Sequence, residues 1–175
     1  MSYSFEALKN AVIEASEADN WEDAVKEWEV VSCEEDDTLS ESCICGQEQL
    51  RYLYTIRNLN NENELYPIGS SCINRFGRES MTDDADFLCK LSMLNHMGGQ
   101  LWRCNWHDLK SYLSRRMIEW LWDSGVFEDT FSDGKETYDM MLDIFNKRNP
   151  TYRQTRAFRT VLYYTVLPWY RDNYE

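Results

Sequence analysis

Three cysteines in the first part of the chain have the spacing of metal ligands. Cys43 and Cys45 flank one residue in a turn that ends at Gly46, and Cys72 stands at the predicted start of a short helix. Small zinc modules bring thiolates from a turn and a helix start into one tetrahedral site, and a glycine lets the backbone turn beneath the ion. The spacing therefore predicts a structural zinc ion on Cys43, Cys45 and Cys72.

A tetrahedral site takes a fourth ligand, for which Cys33 is the candidate. Cys33 ends a predicted strand just before an acidic loop, which gives the pattern C-x9-C-x-C-x26-C. The alternative interpretation is four buried free cysteines, since a free thiol packs like a small apolar side chain. That alternative does not explain two thiols around one residue in a polar turn. Cys89 and Cys104 lie in or beside helical segments and are predicted to be packed thiols without a role.

No catalytic motif accompanies these cysteines. The two histidines, His96 and His107, stand outside any H-E-x-x-H or H-x-E pattern and are predicted to be core or surface residues. The sequence has no G-x-S-x-G, phosphate loop or dinucleotide fingerprint. We therefore expect a protein that binds another macromolecule and is not an enzyme. A hydrolase with an open zinc position is the minor alternative.

The net charge of −13 is concentrated near the N-terminus. Residues 1–50 hold 14 acidic and 2 basic residues, whereas residues 51–175 hold 17 and 16. Such a field steers a protein toward basic partners and away from nucleic acid and membranes. The alternative is a solvated surface that only keeps the protein soluble. The carboxylates predicted to contact a basic partner are Glu22, Asp23, Glu34, Glu35, Asp36 and Asp37.

A basic and aromatic patch near the C-terminus supports an alternative function, a zinc-stabilised module that binds nucleic acid. Its members are Arg115, Arg116, Arg148, Tyr152, Arg153, Arg156 and Arg159. The competing interpretation is that these arginines pair with acidic side chains of a neighbouring helix or subunit.

Periodicity predicts an α+β fold with a small antiparallel β module followed by a helical bundle. Residues 28–33, 50–57 and 65–68 have strand character, and the segments beyond Gly77 have helical character. One long helix is predicted over residues 105–124, and Thr151 with Gln154 forms a capping box for the last helix. The predicted domains are an acidic zinc module, 1–77, and a helical domain, 78–175. Without a signal peptide or an apolar span, the chain is expected to be soluble and cytoplasmic.

Residues 28–77 resemble a family of small phage and Firmicute proteins. The shared pattern is W-E, C-x-C-G, Y-x-I-x-N, G-S-x-C-I and F, carried here by Trp28-Glu29, Cys43-Ile44-Cys45-Gly46, Tyr54-Thr55-Ile56-Arg57-Asn58, Gly69-Ser70-Ser71-Cys72-Ile73 and Phe76. In the helical remainder the best agreement is Met141-Leu142-Asp143-Ile144-Phe145-Asn146-Lys147-Arg148. The family looks like one that includes streptococcal prophage anti-CRISPR metalloproteins.

The resemblance implies a zinc ion on the matching cysteines and inhibition of a type II-A RNA-guided nuclease in the bacterial host cell. The inhibitor would bind the nuclease directly and prevent target DNA loading, with no nucleic acid or membrane contact of its own. Many family members carry His shortly after C-x-C-G, where this chain has Gln47-Glu48. This departure leaves Cys33 as the expected fourth ligand.

Overall fold

The computed structural model describes residues 4–128 and 133–174 and confirms an α+β fold. One three-stranded antiparallel sheet is preceded and followed by helices. The elements are helices α1 (Phe5–Glu14) and α2 (Trp21–Ala24), strands β1 (Trp28–Glu35), β2 (Tyr52–Asn58) and β3 (Glu64–Ile68), and helices α3 (Ser70–Arg75), α4 (Glu79–Met97), α5 (Trp106–Ser111), α6 (Arg115–Asp123), α7 (Gly134–Asn146), α8 (Tyr152–Val161) and α9 (Leu167–Tyr174).

The chain divides into two compact units, one ending at Cys89 and the other beginning at Lys90. This division lies inside α4, beyond the boundary at residue 77 that the sequence predicted. The first part of α4 buries Met81 and Leu88, and the Cys89 thiol interacts with a cysteine of β1. Because these contacts belong to the core of the N-terminal unit, the glycine at position 77 bends the chain within that unit.

The sheet has the order β1-β2-β3, with β2 in the centre. Its register pairs Cys33 of β1 with Tyr54 of β2, and Tyr54 with Ile68 of β3. All three side chains are buried. Because neighbouring strands lie about 4.8 Å apart, Cys33 and Ile68 are separated by roughly 10 Å across the sheet.

The prediction of one long helix over residues 105–124 is wrong. The structure has two helices, α5 and α6, because Ser114 adopts an extended backbone and its side chain accepts a hydrogen bond from the N–H of Met117 at 3.0 Å. Ser114 is therefore the N-cap of a new helix. Leu109, Leu113 and Met117 are buried on both sides of the break. The apolar period continues through it, so periodicity alone does not reveal it.

The last helical segment begins with the predicted capping box of Thr151 and Gln154. After α8 the chain forms a π-helical stretch, Leu162–Val166, and then α9. Pro168 has no N–H and cannot bond to the carbonyl four residues earlier, so the helix widens here. In the described parts of the chain, no helix has the length and apolar character needed to cross a membrane.

Candidate metal centre

The first two thiols are held by a tight turn in the connection between β1 and β2. The N–H of Gly46 donates to the carbonyl of Cys43 at 2.7 Å, and the N–H of Cys43 donates to the carbonyl of Gln47 at 2.8 Å. Gly46 has a φ of +88°, a conformation that favours glycine. The N–H of Ile44 donates to the carbonyl of Pro67 at 3.2 Å. The turn is therefore fixed against β3.

Cys72 in α3 completes a buried triad with Cys43 and Cys45. The Sγ atoms of Cys43 and Cys72 are 3.5 Å apart, and all three Sγ atoms lie within 4.8 Å of one another. The exposed fractions of these residues are 4% for Cys43, 7% for Cys45 and 2% for Cys72. Because β3 leads into α3 through Gly69, the strand that anchors the turn also delivers Cys72. The structure thus brings together the three cysteines that the sequence analysis selected.

The triad fits a metal ion by spacing and by chemistry. In a tetrahedral site with Zn–S bonds of about 2.3 Å, neighbouring sulfur atoms are roughly 3.8 Å apart. The 3.5 Å between Cys43 and Cys72 is close to that value and far longer than a disulfide bond of about 2.05 Å. A buried group of three thiols can therefore hold a metal ion, and soft sulfur ligands suit zinc.

Hydrogen bonds favour a thiolate at Cys43. The Cys72 thiol is the main donor, and the backbone N–H groups of Cys45 and Gly69 also donate; together they hold the pKa of Cys43 below its usual value although burial opposes them. The same contact raises the pKa of Cys72, because the proton between the two sulfurs stays with Cys72. N–H···S bonds of this kind stabilise a thiolate and orient it as a ligand.

The structure does not bring Cys33 to this triad, which corrects the predicted four-cysteine set. Cys33 lies on β1, on the far side of β2 from β3, against which the turn of the triad is held. Its thiol interacts instead with Cys89 and Tyr54; the contact with Cys89 and burial raise its pKa. Because two strand spacings separate Cys33 from the end of β3, it cannot share an ion with Cys72 without moving the sheet.

No fourth Cys, His, Asp or Glu joins the triad among the residues that the structure describes. At the place where the resembling family carries His, this chain has Gln47 and Glu48, and Glu48 is exposed. His96 is an exposed residue whose Nδ1 lies 2.8 Å from the carbonyl of Ser92, and His107 is also exposed. An ion on the triad therefore has one position left for water or for a ligand from elsewhere.

The six predicted partner-binding carboxylates do not form one patch. Four of them follow one another at the end of β1 and directly after it: Glu34, Glu35, Asp36 and Asp37. The other two, Glu22 and Asp23, lie in α2, which precedes β1. Six residues of strand, 28–33, lie between the two groups, which is roughly 20 Å.

Several of these carboxylates have local partners. Asp23 pairs with Lys26 at 2.7 Å, and Glu35 pairs with Arg51 at 2.9 Å. Asp36 accepts hydrogen bonds from Thr38 and Ser40, which lower its pKa to about 2. The carboxylates free for a partner are therefore fewer than the sequence suggests.

In the part of the chain that the structure describes, most arginines of the C-terminal basic patch do not form the ion pairs with a neighbouring helix that one interpretation of the sequence expected. Within residues 4–128 and 133–174, no ion pair includes Arg148, Arg153, Arg156 or Arg159. Arg115 does pair, with Glu119 at 2.9 Å.

The sequence analysis missed two features near these sites, the N–H of Gly69 as a donor to sulfur and the proximity of Cys89 to Cys33. The position of Gly69 just before a helix was a local indication of the first. No local pattern indicates the second, because the two cysteines meet only when α4 packs on the sheet.

Comparison with protein-family models, with curated proteins and with solved structures found no match. The resemblance of residues 28–77 therefore depends on the motif residues alone.

Proposed function

We propose that the chain is a zinc-stapled binding protein, without enzymatic activity, that inhibits a type II-A CRISPR effector nuclease of its bacterial host. It acts as a phage-encoded anti-CRISPR protein by occupying a basic surface of the nuclease and preventing target DNA from loading. The motif resemblance supplies the identity of the partner. The charge of the N-terminal unit supplies the physical reason for binding.

The charge difference between the two units carries the proposal. Residues 1–89 hold 20 acidic and 6 basic residues, whereas residues 90–175 hold 11 and 12. An RNA-guided nuclease holds its heteroduplex in a positively charged channel. An acidic protein surface competes with DNA for such a channel, and charge complementarity speeds its association.

The zinc ion has a structural role in this proposal. The turn at Cys43 and the start of α3 are far apart in sequence, and an ion on the triad joins them to β3 in one rigid edge. The acidic segment after β1 leads into this turn, so the ion limits the conformations of the segment that presents Asp37. Metal binding to thiolates contributes directly to folding in small modules.

A competition experiment tests the proposal. Target DNA binding by streptococcal type II-A nuclease–guide complexes is measured as the protein is added, at two salt concentrations. We expect target binding to fall, and the inhibition to weaken as salt rises because exposed charges are screened. Undiminished target binding at saturating protein would overturn the proposal.

Two charge reversals locate the contact surface. Asp37→Lys changes the end of β1, and Glu22→Lys makes the same change in α2, with no ion pair for either residue among the described contacts. We expect Asp37→Lys to weaken inhibition by about fivefold and Glu22→Lys to change it little. Equal losses from both variants would contradict a contact at the end of β1.

A further inference from the structure

The C-terminal unit contains a groove beside α8 that the proposed function does not use. Its volume is about 620 Å³, and it is lined by Trp102, Tyr152, Arg156, Arg159, Thr160 and Tyr164. Four of these residues recur at intervals of four positions, from Tyr152 to Tyr164, and so follow one face of the helix. A groove of this volume accommodates a small organic ligand.

Two of the three aromatic side chains of the groove are largely open to solvent. Tyr152 is 77% exposed and Tyr164 is 66% exposed. The ring of Trp102 lies 6.3 Å from that of Tyr164, and Tyr164 stands in the π-helical stretch. Such stretches recur at functional sites. Exposed aromatic rings that border a groove can stack on a planar base.

Arg159 supplies a positive charge that the protein does not neutralise. Its side chain is 92% buried, since 8% of its surface is exposed, and its Nη2 donates to the carbonyl of Cys104 at 2.6 Å. Its Nε has no hydrogen-bond partner, and no carboxylate pairs with it among the described residues. A buried charge without a counter-charge is costly, so an anion in the groove would stabilise this guanidinium.

The sequence around the groove is basic in a chain that is strongly acidic. Residues 144–171 contain six Lys or Arg and no Asp or Glu, although the net charge of the chain is −13. The expectation of no nucleic-acid contact depended on the acids of residues 1–50, and none of those lies in this segment. The local field therefore favours an anionic ligand.

We infer that this groove binds a nucleoside phosphate unit, with the phosphate at Arg156 and Arg159 and the base against Trp102 and Tyr164. Planar guanidinium groups bind phosphate oxygens through two hydrogen bonds, and aromatic rings stack on any base. The unit belongs to a free nucleotide or to single-stranded nucleic acid. The inference uses only residues of the C-terminal unit and is independent of the proposed nuclease inhibition.

Three probes identify the ligand: adenosine monophosphate, inorganic phosphate and a fluorescent single-stranded DNA of about 15 nucleotides. Calorimetry measures the first two, and fluorescence anisotropy measures the third. We expect nucleotide or strand to bind more tightly than inorganic phosphate, with an affinity that falls between about 50 and about 200 mM salt. Tighter binding of the strand identifies nucleic acid as the source, and equal binding identifies the free nucleotide.

Matched variants test the geometry. Tyr164→Ala should weaken binding about tenfold, while Tyr164→Phe, which keeps the ring, should retain it. Arg156→Gln should weaken binding by about fivefold. Arg171→Gln removes an exposed charge outside the groove and should change the affinity little. Circular dichroism and thermal melting confirm that each variant is folded.

Three results would overturn the inference. The first is no binding of nucleotide or strand at low salt. The second is an affinity for inorganic phosphate equal to that for the nucleotide, with no effect of Tyr164→Ala. The third is an equal loss from Arg171→Gln and Arg156→Gln, which would indicate a diffuse charge effect.

Discussion

Two groups of cysteines in the N-terminal unit are chemically alike and structurally different. The triad of Cys43, Cys45 and Cys72 meets beside β3, where backbone N–H groups point at sulfur. Cys33 lies on β1 and meets one other thiol, that of Cys89, beside the ring of Tyr54. All five cysteines are buried. Burial alone therefore does not distinguish a metal ligand from a packed thiol.

The difference between the two groups lies in number and in hydrogen-bond donors. Three thiols can surround an ion and share its charge, whereas two thiols leave at least half of a tetrahedral shell empty. The pKa directions do not separate the groups: the thiol–thiol contact lowers the pKa of Cys43 and raises that of Cys72 in the triad, and it lowers the pKa of Cys89 and raises that of Cys33 in the pair. The triad is thus distinguished by its third thiol and by the backbone N–H groups of Cys45 and Gly69 that donate to Cys43, which together suit it to hold an ion.

The largest expected effect comes from removing a triad member. Cys72→Ser should abolish zinc binding and lower the melting temperature of the N-terminal unit, because structural zinc contributes directly to folding in small modules. Cys33→Ala should retain one zinc ion per chain and cost about 1 kcal/mol of packing. Elemental analysis and thermal melting measure both. If Cys33→Ala lost the metal as Cys72→Ser does, the distinction between the groups would fail.

An intermediate effect is expected from metal removal in the unmodified protein. A chelator should expose Cys43, Cys45 and Cys72 to alkylation, because the turn that carries two of them lies outside the sheet. Cys33 and Cys89 should react only when the unit unfolds as a whole. Mass spectrometry of alkylated peptides gives the order of reaction, and added zinc should restore protection. Alkylation of Cys33 at the rate of Cys43 would contradict this order.

The smallest effect concerns the segment that connects the two groups. Asp36 holds the beginning of the segment after β1, because its carboxylate accepts hydrogen bonds from the N–H groups of Thr38 and Ser40 at 2.8 and 2.9 Å. Its pKa in the folded protein, about 2, is below the value in the unfolded chain. The carboxylate therefore stabilises the fold above about pH 4, and this contribution is lost as the pH falls through about 2.

The comparison of wild type with Asp36→Asn isolates that contribution. The difference in urea midpoint between the two proteins should be constant near neutral pH and should shrink below about pH 4. Zinc content at neutral pH should be the same in both. A difference that grew as the pH fell would contradict the assignment.

The sequence determined the parts of this protein that depend on near neighbours. The capping box of Thr151 and Gln154, the strand character around Tyr54 and the turn at Gly46 are each specified within a few residues, and the structure confirms them. The triad could also be predicted from the sequence, because the turn and the helix start are local features and β3 leads directly into that helix. The helix break at Ser114 could not be predicted, since the apolar period continues across it.

Tertiary structure alone decided which thiol meets Cys33. Cys33 was predicted to end a strand before the turn, a position that favours a place beside Cys43, whereas β1 continues to Glu35. The strand order puts β2 between them, and α4 brings Cys89 to Cys33 instead. The same holds for Trp102, which reaches the groove of α8 from fifty residues away. Sequence fixes the chemistry of each side chain and its local backbone, whereas the packing of distant elements sets the distances between them.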